Sequence, residues 1–189
     1  MATEIELKVI VFNPDELRLK LSSLATLTGY YEKSDIYFTV PGGTETPETR
    51  SYGVRIRSEK IKKVNGTAEE TAYVTYKYKE VCDGIEINDE HELTVSSVSA
   101  FEAFLYYLGC AVKLKKRKTG AAYKNREMTI ELSEVETLGW YLELEILLPE
   151  KDSPEAEEAK KKLLDFLDLL EIPRDRIESR TYSELLLQN

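Results

Sequence analysis

The sequence predicts an α+β protein built on an eight-stranded antiparallel β-barrel, closed or nearly closed, with a charged interior and helices outside. Three observations predict it. Segments that alternate apolar and polar residues recur along the chain, joined by turn signals. The charges on those segments come as doublets of one sign, Glu-x-Glu in some and Lys/Arg-x-Lys/Arg in others. The faces opposite the charges are apolar, and amphipathic helices are present to cover them. A chain of 189 residues, 42% hydrophobic and 32% charged, has material for one folded domain over 1–189 with a core of its own.

The first strand is expected near 3–12, where Glu4, Glu6 and Lys8 share one face and Ile5, Leu7 and Val9 the other. Asn13-Pro14-Asp15-Glu16 then opens a helix: Asn13 caps, Pro14 suits the first turn, and the two acids complement the dipole. Leu17, Leu21 and Leu24 form its apolar stripe, and Gly29 is expected just past its end. Strands follow near 30–40, 51–60 and 71–81. A loop from Pro41 through Pro47 separates the first two, and a long hairpin tip around Asn65-Gly66 separates the others. Asp83-Gly84 marks a tight turn into a strand that runs to about residue 96.

Ser96 or Ser97 caps a second helix with Phe101, Phe104, Leu105 and Leu108 turned inward and Gly109 closing it. Strands near 112–123, 127–133 and 140–148 come next. Ser153-Pro154-Glu155 opens a third helix, whose buried stripe is Ala156, Ala159, Leu163, Phe166, Leu167 and Leu170. Pro173 ends it, and a short terminal helix is expected over 182–187.

Composition narrows the function. A net charge of −9 argues against a general nucleic-acid binder. The apolar runs fall short of the ~20 residues of a membrane span, and no secretory leader is legible, so a cytoplasmic protein is expected. Cys82 and Cys110 lack metal-type spacing and His91 is the single histidine, which disfavours a thiolate or imidazole metal site. The helix faces are apolar enough for a homodimer, unless covering the barrel uses them in full.

The charged faces form a set: Glu4, Glu6 and Lys8; Arg55 and Arg57; Thr75, Lys77 and Lys79; Glu90 and Glu92; Lys115 and Arg117; Glu131 and Ser133; Glu143 and Glu145. A sheet facing solvent would alternate too. The matched doublets, and the apolar faces opposite them, instead point to an inverted barrel with charge inside. Charges buried in such numbers must be paired or neutralised by ligands. Carboxylates suit Mg²⁺ or Mn²⁺, while Arg and Lys suit phosphate oxygens. A metal–polyphosphate site follows from the residues alone, without a named reaction.

These motifs resemble the CYTH superfamily, the triphosphate tunnel metalloenzymes, which include class IV adenylyl cyclases, thiamine triphosphatases and inorganic triphosphatases. The resemblance rests on Glu4-x-Glu6-x-Lys8, Asp35-Ile36-Tyr37-Phe38, Arg55-x-Arg57, Thr75-x-Lys77, Glu90-x-Glu92, Lys115-x-Arg117 and Leu138-Gly139 followed by Glu143-x-Glu145. It implies a tunnel that binds a triphosphate with Mg²⁺ or Mn²⁺. Glu4, Glu6, Glu90, Glu92, Glu143 and Glu145 would supply the metal site. Lys8, Arg55, Arg57, Lys77, Lys115 and Arg117 would bind phosphates, with Lys8, Lys77 and Arg117 in the catalytic role. The ending Arg180-Thr181-Tyr182-Ser183-Glu184-Leu185-Leu186 is similar to that of class IV cyclase-like members. The implied reaction is conversion of ATP to cyclic AMP and pyrophosphate. Hydrolysis of thiamine triphosphate or tripolyphosphate, or triphosphate sensing without turnover, are the alternatives. Three positions depart from the family pattern: Ser133 where Asp is usual, Lys33 where many members have Gln, and Asn88 where many have Arg.

Overall fold

A computed structural model describes residues 2–41, 53–82, 84–149 and 155–188, with the backbone alone for 2, 53, 77–82 and 89–90. The strands are β1 (Ala2–Val11), β2 (Thr26–Thr39), β3 (Gly53–Lys63), β4 (Ala68–Cys82), β5 (Ile85–Thr94), β6 (Ala111–Asn125), β7 (Met128–Val135) and β8 (Gly139–Leu148). They close into one antiparallel barrel in the order β1-β5-β4-β3-β2-β6-β7-β8, with β8 paired back onto β1. The helices are α1 (Pro14–Leu24), α2 (Val98–Tyr107), α3 (Glu155–Leu169) and α4 (Tyr182–Gln188).

The barrel is inside out because of how its outer face is covered. Ile5, Leu7 and Val9 of β1 join Ile130 and Leu132 of β7 and Leu142, Leu144 and Ile146 of β8. They pack beneath Leu17 and Leu21 of α1 and Leu163, Phe166 and Leu167 of α3. Full burial of each such side chain contributes ~1.5–3 kcal/mol. On β1, β7 and β8 these apolar residues therefore face the helices, and pleating turns Glu6, Lys8, Glu131, Glu143 and Glu145 into the barrel.

Four local expectations change. Helix α1 ends at Leu24, and Ala25 is already extended, so Gly29 lies within β2. Its purpose is close approach, because a Cβ there would lie 2.6 Å from the Lys62 carbonyl oxygen. The β3–β4 hairpin is tighter than expected: Lys63 donates its N–H to Thr67 O, and Gly66 takes a φ of +87°. Helix α2 buries Leu105, while Phe104 and Leu108 are about half exposed. The fourth change concerns β6 and the site itself. The segment 42–47 and the start of the third helix at Ser153-Pro154 lie outside the described residues.

Candidate functional site

Alternation on β1 places Glu4, Glu6 and Lys8 inside the barrel, behind an outer face that is wholly buried. Glu6 sits opposite Glu86 of β5 on one side and Glu145 of β8 on the other, which makes a row of three carboxylates across three strands. Glu4 lies opposite Asn88, which is fully buried with neither side-chain oxygen nor nitrogen hydrogen-bonded. Lys8 is 2% exposed; its Nζ donates to Arg180 O at 2.6 Å and lies 3.5 Å from Glu86 Oε1. It also stands 4.6 Å from the centre of the Tyr182 ring.

The cations come from the other half of the barrel. Asp35 of β2 is buried and takes a forked pair of hydrogen bonds from Arg57, at 2.8 and 3.0 Å, and an ion pair from Lys116 at 3.0 Å. Burial would raise the Asp35 carboxyl, but Lys116 and Arg57 outweigh it and hold the group well below the usual carboxylate range. Arg55 donates to Thr75 Oγ1 at 2.8 Å, and Thr75 lies opposite Glu92 in the β4–β5 pairing.

Strand β6 corrects the expected placement of Lys115 and Arg117. Both are exposed, and Arg117 forms a surface ion pair with Glu32 at 3.0 Å. Lys116 and Lys118 are the residues that face inward, at 7% and 4% exposure. The sequence reads Lys115-Lys116-Arg117-Lys118, so a basic doublet exists on either face and alternation alone does not choose. The choice is made by pairing with β2, where Lys116 stands opposite Asp35 beside a register shift at Tyr37/Phe38.

Lys118 reaches Glu131 at 2.8 Å and also pairs closely with Glu143. Lys33 joins the cluster through Glu131 and, at 3.2 Å, Glu59. Burial alone would lower the Lys118 pKa, but Glu131 and Glu143 hold it well above the ordinary lysine range. Lys33, Asp35, Glu59, Glu86, Lys116, Lys118 and Tyr182 were not among the predicted site residues. Asp35 and Lys33 were legible as alternating polar positions of β2. Glu86 extends the Glu90/Glu92 alternation by two pleats, and Tyr182 arrives only through the tail.

That tail closes one end. Glu178 N–H donates to Lys8 O at 2.8 Å, and Ile177 bridges to Val9. Thr181 and Glu184 then cap α4 reciprocally, through Thr181 N–H to Glu184 Oε2 at 2.6 Å and Glu184 N–H to Thr181 Oγ1 at 3.1 Å. This seats Tyr182 edge-on to Tyr141 and over Lys8 and Lys116. Burial, with Glu143 and Glu6 nearby, pushes its phenol well above the usual range.

Of the remaining predicted residues, Glu143 and Glu145 lie on the inward face of β8, and Glu143 is taken by Lys118. Glu92 is exposed, within 3.4 Å of Thr75 Oγ1. Lys77 and Glu90 face each other in the β4–β5 pairing, and their side chains lie outside the described residues. No three His, Cys, Asp or Glu side chains among the described residues are gathered as a metal cluster. The donors suited to Mg²⁺ or Mn²⁺ are the carboxylates of Glu4, Glu6 and Glu145, with the unpartnered Asn88 beside them.

The sequence profile of the CYTH domain matches residues 2–182. The chain belongs to the CYTH family. A Methanocaldococcus jannaschii protein described as a "putative adenylate cyclase" is 24% identical over 184 residues, which are 96% of this chain and 97% of that protein. The PH1819 protein from Pyrococcus horikoshii OT3 has the same fold, with a TM-score of 0.83 and 32% identity over 98% of both chains. A Hippeastrum protein, described as a "putative adenylyl cyclase" with a dominant triphosphatase activity, superposes with a TM-score of 0.60. It is 18% identical, over 99% of this chain and 94% of its own, a likeness of fold. In this CYTH chain Leu163, Phe166 and Leu167 of α3 pack on the apolar outer face of the barrel, and no helix among the described residues is long and apolar enough to cross a membrane.

Proposed function

We propose that this CYTH protein binds a triphosphate inside the barrel with a divalent metal ion and cleaves it. One observation carries the reading: carboxylates on β1 and β8 and guanidinium and ammonium groups on β3 and β6 line the same enclosed interior. Glu4, Glu6 and Glu145 would hold Mg²⁺ or Mn²⁺. When bound, the ion supplies Lewis acidity at phosphoryl oxygens. Arg55, Arg57, Lys116 and Lys8 would hold the phosphates, Arg57 and Lys116 by exchanging part of their interaction with Asp35. Lys77 joins them by resemblance to the family. Catalysis would then come from positioning and from cations aimed at charge that develops during phosphorus transfer.

The first reading of the reaction is ATP cyclisation, in line with the description of the M. jannaschii relative. There the ribose 3′-hydroxyl attacks the α-phosphorus and pyrophosphate leaves. The second is hydrolysis at the terminal phosphorus. It is in line with the triphosphatase activity described for the Hippeastrum protein of the same fold. Incubation with Mg²⁺ or Mn²⁺ and ATP, thiamine triphosphate or tripolyphosphate, followed by product separation, decides between them. Cyclic AMP with pyrophosphate identifies the cyclase, and orthophosphate the hydrolase. Absence of any product with all three substrates would overturn the enzyme reading.

A further inference from the structure

The interior holds a lysine between two of its carboxylates, Glu131 and Glu143. Lys118 stands opposite Val135, and Glu131 opposite Ala122, with the pair Gly120/Ser133 between them. The Lys118 and Glu131 side chains thus approach each other along the barrel, over a pair that carries almost no side chain. Gly120 has to be glycine, since a Cβ there would lie 2.4 Å from Leu132 O and 2.8 Å from Ser133 Cβ. Beyond Ser133 the Lys118 ammonium meets Glu131 on β7 and Glu143 on β8, which face each other across the β7–β8 pairing. It is 4% exposed and lies 5.7 Å from the centre of the Tyr31 ring. Ser133 Oγ and the Tyr31 hydroxyl are both buried without a hydrogen-bond partner.

We infer that Lys118 is a fixed cation in the place of a second metal ion, so that the barrel takes its triphosphate with a single divalent ion, on the Glu4/Glu6/Glu145 side. This rests on the metal–triphosphate reading above. The physical reason is competition. Glu131 and Glu143 are a carboxylate pair facing each other inside the barrel, and a second divalent ion seated on them would have to displace a buried ammonium from both and stand beside that like charge in a poorly screening interior. Ser133, with a hydroxyl in place of a carboxylate, adds no charge to pull a second ion in. Lys33, which shares Glu131, reinforces the same neutralisation.

The test counts metal rather than product. Wild-type protein is dialysed against Mn²⁺ with a saturating non-hydrolysable imido analogue of tripolyphosphate, and bound Mn²⁺ is quantified by electron paramagnetic resonance. The expected count is a single ion per wild-type chain, rising to two in Lys118→Met, which keeps the stem and removes the charge. Two ions in the wild type would overturn the inference and leave the proposed function standing. So would a folded Lys118→Met that still holds one, with folding judged by circular dichroism. No retained Mn²⁺ in the wild type would overturn the metal–triphosphate reading and this inference with it. Should Lys118→Met fail to fold, the wild-type count alone decides.

Discussion

Asp35→Asn isolates the idea that a buried carboxylate stores cations for a phosphate. The Asp35 side chain is fully buried, and its two partners, Arg57 and Lys116, are 14% and 4% exposed. Removing its charge leaves two cations confined without a counter-ion, and breaking a buried ion pair of this kind costs ~3–5 kcal/mol. For a chain of 189 residues, each kcal/mol moves the melting temperature by roughly 2–4 °C, so a fall of about 6–20 °C is expected. Ligand should then act more strongly on the variant than on the wild type. Tripolyphosphate at ~100 times its Kd stabilises the wild type by about 2.7 kcal/mol. In Asp35→Asn, Arg57 and Lys116 are no longer shared, so the same concentration of tripolyphosphate and Mg²⁺ should raise the melting temperature further. The assay is thermal unfolding followed by circular dichroism, with and without ligand. A loss below ~1 kcal/mol would refute the stability argument. A ligand-induced rise no larger than that of the wild type would refute the storage argument.

Three further outcomes follow from named contacts. The Asp35 carboxyl is held below its ordinary value of 3.8, so its contribution is complete above the unfolded pKa and is lost as pH falls through the lower folded one. The stability gap between wild type and Asp35→Asn, measured by urea unfolding, should therefore be constant above about pH 5 and shrink below about pH 4. Lys115→Ala and Arg117→Ala, on the exposed face of β6, should leave tripolyphosphate affinity within about twofold, whereas Lys116→Ala should weaken it roughly tenfold or more by calorimetry. Tyr182→Ala should cost ~3–5 kcal/mol by emptying the end of the barrel, while Tyr182→Phe, which keeps the ring over Lys8 and Lys116, should cost less than about 1.5 kcal/mol.

The sequence by itself determined the elements and the inversion of the barrel. Both depend on periodicity: Ile5-Glu6-Leu7-Lys8-Val9 in β1 and Leu142-Glu143-Leu144-Glu145-Ile146 in β8 alternate strictly, so Ile5, Leu7, Leu142 and Leu144 must share a face, and the helix stripe of Leu163, Phe166 and Leu167 supplies its cover. Carboxylates on β1 and β8 and arginines on β3 were legible for the same reason. Tertiary structure decided what alternation leaves open. Strand β6 has basic residues on both faces, and only its pairing with Asp35 turns Lys116 and Lys118 inward and Lys115 and Arg117 to solvent. The position of Tyr182 depends on a chain reversal at Ile177 and Glu178 that brings residues far apart in sequence onto the end of β1. The Lys118 cluster likewise joins β6, β7 and β8 across an almost bare Gly120/Ser133 pair. Local pattern sets which way a side chain points on its own strand. Which charges meet inside a closed barrel is set by register between strands, and register is a property of the assembled sheet.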